Sequence, residues 1–170
     1  RYIAAYTKSL GFPTRLDPVA PGRPNVVAVL GEKSAGERAL TQRHGLIING
    51  HMDVVGVQGM TDTFTPRIEG DRVFARGAAD MKCGLVAGLL AMKAVRDSGV
   101  PLSKSVLFSG VVDEEYASIG TEDAAKRYDA DAALVMDGGP KPCIAHKGFA
   151  WVTVETLGKA AHGSNYVEGV

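Results

Sequence analysis

Short apolar runs alternate with longer periodic ones along this chain. Tyr2, Ile3, Tyr6 and Leu10 recur at helical spacing, and Gly11 before Pro13 is a natural stop. The proline-rich stretch from Asp17 to Pro24 predicts a turn region, and Asn25–Leu30 predicts a strand. The polar stretch from Gly31 to Arg43 predicts a loop. Leu46–Gly50 is brief, β-branched and bounded by glycines, which predicts a buried strand with His51 at its end. Arg67–Ala75 alternates around Gly70-Asp71 as a hairpin does. From Lys82 to Ser98, the residues Leu85, Val86, Leu89, Leu90, Met92, Ala94 and Val95 form a broad helical face, ended by Gly99 and Pro101. Ser105–Val112 and Ala132–Met136 predict further strands, with a short helix capped by Thr121 between them. Phe149–Leu157 alternates as a half-exposed strand. Strands interleaved with helices predict an α/β fold with a mostly parallel sheet covered by helices on both faces. The change of character near Gly148 predicts a boundary there, giving domains 1–148 and 149–170.

Polar residues stand where several of these runs end. His51 and Asp53 follow one strand, Asp113-Glu114-Glu115 the next and Asp137 another, while Asp80 leads into the long helix. An open α/β sheet forms its ligand crevice outside the carboxyl ends of its strands, so these residues converge on one place. Two residues apart on extended backbone point the same way. The Asp53 carboxylate is therefore expected to accept from one His51 ring nitrogen, leaving the other for a metal. Adjacent Glu114 and Glu115 raise one another's pKa unless a cation is near. Taken singly, His-x-Asp is a polar loop and Asp-Glu-Glu a solvated acidic turn. It is their common position at strand ends that points to a site.

Composition narrows the chemistry. The 170 residues are 45% hydrophobic, enough for a globular core, and 19 basic residues balance 19 acidic ones. With no basic block, nucleic-acid and membrane-surface roles lack electrostatic support, and a small-molecule partner is expected. Cys83 and Cys143 form no Cys-x-x-Cys pair and are expected as buried free thiols. No apolar run reaches the ~18 residues of a membrane span, and no secretory leader is visible. His44 is expected on the surface and His146 in a structural role. There is no Gly-x-Ser-x-Gly, no Gly-x-Gly-x-x-Gly after a strand and no His-Glu-x-x-His. The one Gly-x-x-x-x-Gly lacks the Lys-Ser/Thr of a phosphate loop.

Gly50-His51-Met52-Asp53-Val54-Val55, Arg76-Gly77-Ala78-Ala79-Asp80-Met81-Lys82, Asp113-Glu114-Glu115 and Gly158-Lys159-Ala160-Ala161-His162-Gly163-Ser164 follow one another along the chain. In order and spacing they resemble the motifs of the two-zinc amidohydrolases and exopeptidases, which include acetylornithine deacetylase, succinyl-diaminopimelate desuccinylase, aminoacylase and glutamate carboxypeptidase. The resemblance implies a zinc-exopeptidase-like catalytic domain followed by the start of an α+β lid and dimerisation domain. It implies a hydrolase that cleaves an amide bond in an N-acyl amino acid or small peptide through a zinc-activated water. His51 and Asp137 would hold one zinc, Glu115 the other, and Asp80 would bridge them, with Co2+ or Mn2+ as substitutes. Glu114 would be the general base, Asp53 the orienter of His51, and His162 an oxyanion stabiliser reaching the partner's cleft in a homodimer. A cis peptide at Asp80-Met81 is implied as well.

Asp137 stands where many deacylases have glutamate, which leans toward a peptidase. By the same resemblance this is an N-terminal fragment, inactive by itself, of a cytoplasmic enzyme. The last zinc histidine and the substrate-carboxylate residues would lie beyond Val170. The competing reading is a member of the fold that binds a metal or small ligand without turnover.

Overall fold

The structure is a computed structural model that describes residues 1–31, 38–139, 141–145, 148, 150, 152–155, 157–159 and 167. The chain divides into two compact units, Arg1–Gly138 and Gly139–Val170. In the first, α1 (Tyr2–Ser9) leads to β1 (Thr14–Ala20) and β2 (Arg23–Leu30), and a one-turn α2 (Arg38–Thr41) precedes β3 (His44–His51). A hairpin of β4 (Arg67–Glu69) and β5 (Arg72–Phe74) then delivers the chain to α3 (Cys83–Ser98), β6 (Val106–Val111), α4 (Ile119–Arg127) and β7 (Ala130–Val135). The five-stranded sheet runs β1-β2-β6-β3-β7. β6, β3 and β7 are mutually parallel, and β2 and β1 extend the sheet antiparallel.

Each face of the sheet has its own core because side chains alternate along a strand. Ala28, Leu30, Ile48 and Phe108 face Leu85, Leu89 and Met92 of α3, with Ile3 and Tyr6 of α1 and the following Leu10 packed at the margin. Val27, Val29, Leu107 and Val111 face Leu40 of α2, Ala124 of α4 and Tyr128. Helices therefore cover both faces, as the apolar periodicity predicts.

Several local expectations are corrected. The Asp17–Pro24 stretch is not all turn: β1 runs through Pro18, and only Pro21-Gly22 turns, with Gly22 at φ 71. An edge strand tolerates proline because one row of its amides need not pair, and the register shifts between Pro18 and Ala20. The stretch expected as loop before β3 includes α2. Thr121 does not cap α4, which starts at Ile119 with Ser118 at its cap position. His44 is not on the surface: it is fully buried, its Nδ1 2.7 Å from Ser105 Oγ, because it opens β3, which has a neighbouring strand on each side. Both cysteines are free but exposed rather than buried. Cys83 lies on the first turn of α3, where its thiol donates to the Ala79 carbonyl instead of packing on the sheet.

In the second unit the described residues form no α-helix or β-strand. Of the strand expected over 149–157, positions 149, 151 and 156 lie outside the described residues, and 152–155 are not in a strand. His146 and His162 also lie outside the described residues.

A buried polar knot ties β1 to the end of α4. Asp17, 2% exposed, accepts from Arg15 Nε at 2.6 Å and from the Tyr128 hydroxyl, while Arg15 Nη2 donates to that hydroxyl at 2.7 Å. Burial, reinforced by the bond to Asp17, pushes the Tyr128 phenol well above its ordinary value. Tyr128→Phe leaves a buried carboxylate oxygen short of a donor and should cost roughly 1–3 kcal/mol in denaturant unfolding at neutral pH. A raised phenol pKa contributes stability that is complete below the unfolded value of about 10 and lost as pH rises through the folded value. The wild-type advantage over the variant should accordingly shrink at strongly alkaline pH. An equal midpoint for the two proteins at neutral pH would refute this role.

Candidate metal centre

His51 closes β3, the middle strand of the parallel trio, so its imidazole sits between the carboxyl ends of β6 and β7. The two flanking strands run out into Glu114 and Asp137, and Asp80 arrives from the kinked turn Ala78–Lys82 ahead of α3. That turn is reached through Gly77 at φ 79, where a Cβ would fall 2.4 Å from Val54 Cγ1. Only glycine meets both conditions. The Asp80-Met81 peptide is cis, as the resemblance implies. The Met81 side chain is buried beneath the site, its Sδ 3.1 Å from the His51 amide nitrogen.

Around the 1%-exposed His51 ring the partners are nearly all acceptors. Nδ1 lies 3.1 Å from the Asp53 carbonyl and 3.6 Å from its carboxylate. Nε2 lies 3.0 Å from Asp80 Oδ1, 3.8 Å from Asp137 Oδ2 and 3.9 Å from Glu114 Oε2. Two states satisfy a ring with acceptors at both nitrogens. One is a doubly protonated imidazolium; the other is a neutral Nδ1–H imidazole whose Nε2 lone pair meets a cation shared with the carboxylates. His51, Asp80 and Asp137 offer one ligand atom each, all within 4.8 Å of one another. One nitrogen and two carboxylate oxygens around an open position suit zinc or a similar divalent ion.

The Asp53 carboxylate does not make the expected bond to the ring. Its two oxygens accept the amides of Glu114 and Glu115, each at 3.2 Å, and the backbone carbonyl takes the imidazole instead. The reason is strand pairing: β6 lies parallel to β3, so the turn after β6 presents its amides to the residue just past His51. Asp53 thus grips both the histidine and the loop bearing Glu114. That loop is held at its ends by Asn25, whose amide donates to the Gly120 carbonyl at 2.8 Å and whose Oδ1 accepts from Val112 N at 3.1 Å. Asp113 takes the left-handed conformation, φ 63, and is paired with Arg23 at 2.5 Å. Neither Asn25 nor Arg23 stands out in the sequence, since each acts on residues 87 to 95 positions away.

Glu115 is not part of the three-residue cluster. It lines an adjoining cavity of about 710 Å3, together with Arg23, Asp53, Val54, Val112 and Tyr116.

Charge crowding shows in the titration of the site. Burial, with Asp137, Glu115 and Asp53 nearby, pushes the Glu114 carboxyl up despite the opposing pull of His51. Burial alone would lower His51, but the bond to Asp80 and the charges of Glu114, Asp53 and Asp137 outweigh it and hold the imidazolium above its ordinary value.

Residues 47–157, more than half of the chain, match the profile of peptidase family M20/M25/M40. The chain belongs to this family. It is 37% identical over 164 residues to N-formyl-4-amino-5-aminomethyl-2-methylpyrimidine deformylase of Halalkalibacterium halodurans, covering 92% of this chain and 37% of the relative. With carboxypeptidase G2 of a Pseudomonas species it shares 28% identity, over 95% of this chain and 39% of the relative. Among solved structures, aminopeptidase PepT from Bacillus cereus superposes with a TM-score of 0.64 at 20% identity, over 82% of this chain and 37% of that one. A tripeptidase from Staphylococcus aureus gives 0.61 at 21%, over 99% of this chain and 46% of that one. The two structural matches speak for the fold. The chain spans well under half the length of the relatives it matches.

Raised values for an acid and for a histidine act in the same sense. Each group contributes stability that is present below its unfolded pKa and lost as pH rises through the higher folded one. After chelation of divalent ions, the protein should therefore lose thermal stability as pH rises, from about 4 on account of Glu114 and from about 6 on account of His51. Asp80→Asn removes the nearest carboxylate from His51 and should flatten that decline. A melting temperature independent of pH between about 6 and 8 in the chelated wild type would contradict the shifts.

Proposed function

We propose that the protein is a metal-dependent hydrolase cleaving an amide bond in a small N-acyl compound or peptide. The observation that carries the reading is the grouping of His51, Asp80 and Asp137 within 4.8 Å, with Glu114 beside the same imidazole nitrogen. In this reading those three residues would hold one zinc, and Glu115, with Asp80, would hold a second. Bound zinc supplies Lewis-acid chemistry, activating water and polarising the substrate carbonyl. Glu114, with its carboxyl already raised, takes the proton from the attacking water and delivers it to the amine nitrogen as the C–N bond breaks. A carboxylate and an amine are released. Asp53 keeps both His51 and the Glu114 amide in register, and His162 stabilises the developing oxyanion. A boundary near Gly148, a homodimer built through the following domain and a cytoplasmic location complete the proposal by family resemblance.

Two curated relatives, 37% and 38% identical, are named as deformylases of an N-formyl aminomethylpyrimidine. Others are named carboxypeptidase G2 and acetylornithine deacetylase. The substrate panel is therefore N-formyl amines, N-acyl amino acids and dipeptides. No helix among the described residues is long and apolar enough to cross a membrane.

Glu114→Gln in the zinc-loaded full-length protein should lower kcat on the accepted substrate by about 10²- to 10⁴-fold, with metal content unchanged. His51→Ala should abolish metal retention. Undiminished turnover by Glu114→Gln would remove the general base from the mechanism. Stoichiometric metal with no turnover of any panel member would instead favour a metal-binding protein without catalysis.

A further inference from the structure

Helix α3 meets the metal centre through two glycines one turn apart, and they make contacts of different kinds. A Cβ at Gly88 would fall 2.5 Å from Met136 Sδ and 2.8 Å from its Cε, the tip of a flexible thioether that can swing aside. A Cβ at Gly84 would fall 2.6 Å from the Met136 carbonyl oxygen and 3.1 Å from Met136 Cβ. This obstacle is backbone, one residue before Asp137. The Met136 amide donates to the Asn49 carbonyl at 3.0 Å, which continues the β3–β7 ladder toward the site. The segment carrying Asp137 is thus held on one side by the strand that ends in His51. On the other side it rests on the first turn of α3, four residues after Asp80.

We propose that Gly84 is a positioning residue for the metal centre: its missing side chain lets α3 close on the Met136 carbonyl and so sets the distance of the Asp137 carboxylate from His51 and Asp80. The inference rests on the metal-site reading above. At Gly84 the backbone leading to Asp137 comes against the helix that follows Asp80. Any Cβ there moves the Met136–Asp137 backbone outward and opens the three-ligand cluster, whereas the same methyl at Gly88 meets side chains alone, the Met136 tip and Ile48 Cγ2 at 3.0 Å. Both substitutions raise helix propensity, so their difference isolates the backbone contact.

The test uses the full-length protein with Zn2+ or Co2+ alone as probe, reading affinity by chelator competition, the visible absorption of bound Co2+, and melting temperature. Gly88→Ala should bind as the wild type does. Gly84→Ala should bind about 10- to 100-fold more weakly, the range for losing a group that orients a ligand, with an altered cobalt spectrum. Asp137→Glu alone should also weaken binding, because the held backbone makes the longer side chain overshoot. In the Gly84→Ala background, Asp137→Glu should recover affinity, since the extra methylene spans the outward shift. A purely structural role for Gly84 would lower the melting temperature without that rescue. Wild-type affinity and spectrum in Gly84→Ala, or no recovery in the double variant, overturns the proposal. Should Gly84→Ala not fold, unchanged binding by Asp137→Glu alone overturns it. If the unsubstituted protein binds neither ion, the metal-site reading itself falls.

Discussion

A buried imidazole surrounded by hydrogen-bond acceptors is the constraint on which the rest of this molecule turns. Asp80, Asp137 and Glu114 all lie within 3.9 Å of His51 Nε2, and the Asp53 carbonyl occupies the other nitrogen. Carboxylates so close cannot all remain ionised without positive charge among them. The ring can provide it as imidazolium, or a divalent cation can provide more of it at shorter range. The second solution is the one that the proposed function adopts for the acidic groups gathered around this ring.

Holding that cluster together is a matter of backbone. β3, β6 and β7 are neighbours in parallel register, so their carboxyl ends lie side by side, and three of the four residues of the cluster, His51, Glu114 and Asp137, need no long loop to meet. The fourth, Asp80, comes in from the hairpin side through Gly77 and the cis Asp80-Met81 peptide. Asn25 and Asp53 then secure the Glu114 loop by hydrogen bonds to main-chain groups. Main-chain partners suit this task because they cannot change rotamer, and a small error in carboxylate position is costly at a metal centre.

The two faces of the sheet serve different ends. Beneath the site, α3 packs through Leu85, Leu89 and Met92 and fixes the helix start that follows Asp80. On the other face, α4 and the Asp17–Tyr128–Arg15 knot anchor the segment that returns from the Glu114 loop. Edge strand β1 thereby acquires a stability role that its proline and buried aspartate conceal.

The apolar periodicities by themselves determined α1, β2, β3, the hairpin, α3, β6 and β7, because burial of a strand or a helix face leaves a repeat in the residues concerned. The positions of His51, Asp80, Glu114 and Asp137 at the ends of those repeats were enough to mark one crevice, since parallel strands bring their ends together. Elements without such a repeat were hidden. β1 read as turn because an edge strand can carry proline, and α2 is too short to show a period. His44 and the two cysteines were misplaced because a single residue's burial depends on which strand becomes central and which way a helix faces. Only the tertiary structure decided that Asp53 gives its carbonyl to His51 and its carboxylate to the Glu114 and Glu115 amides, and that Asn25, Arg23 and Gly84 touch the segments bearing the site. All but the Asp53–His51 contact join residues far apart in the chain, and their partners are chosen by strand order and helix packing, which no local pattern records.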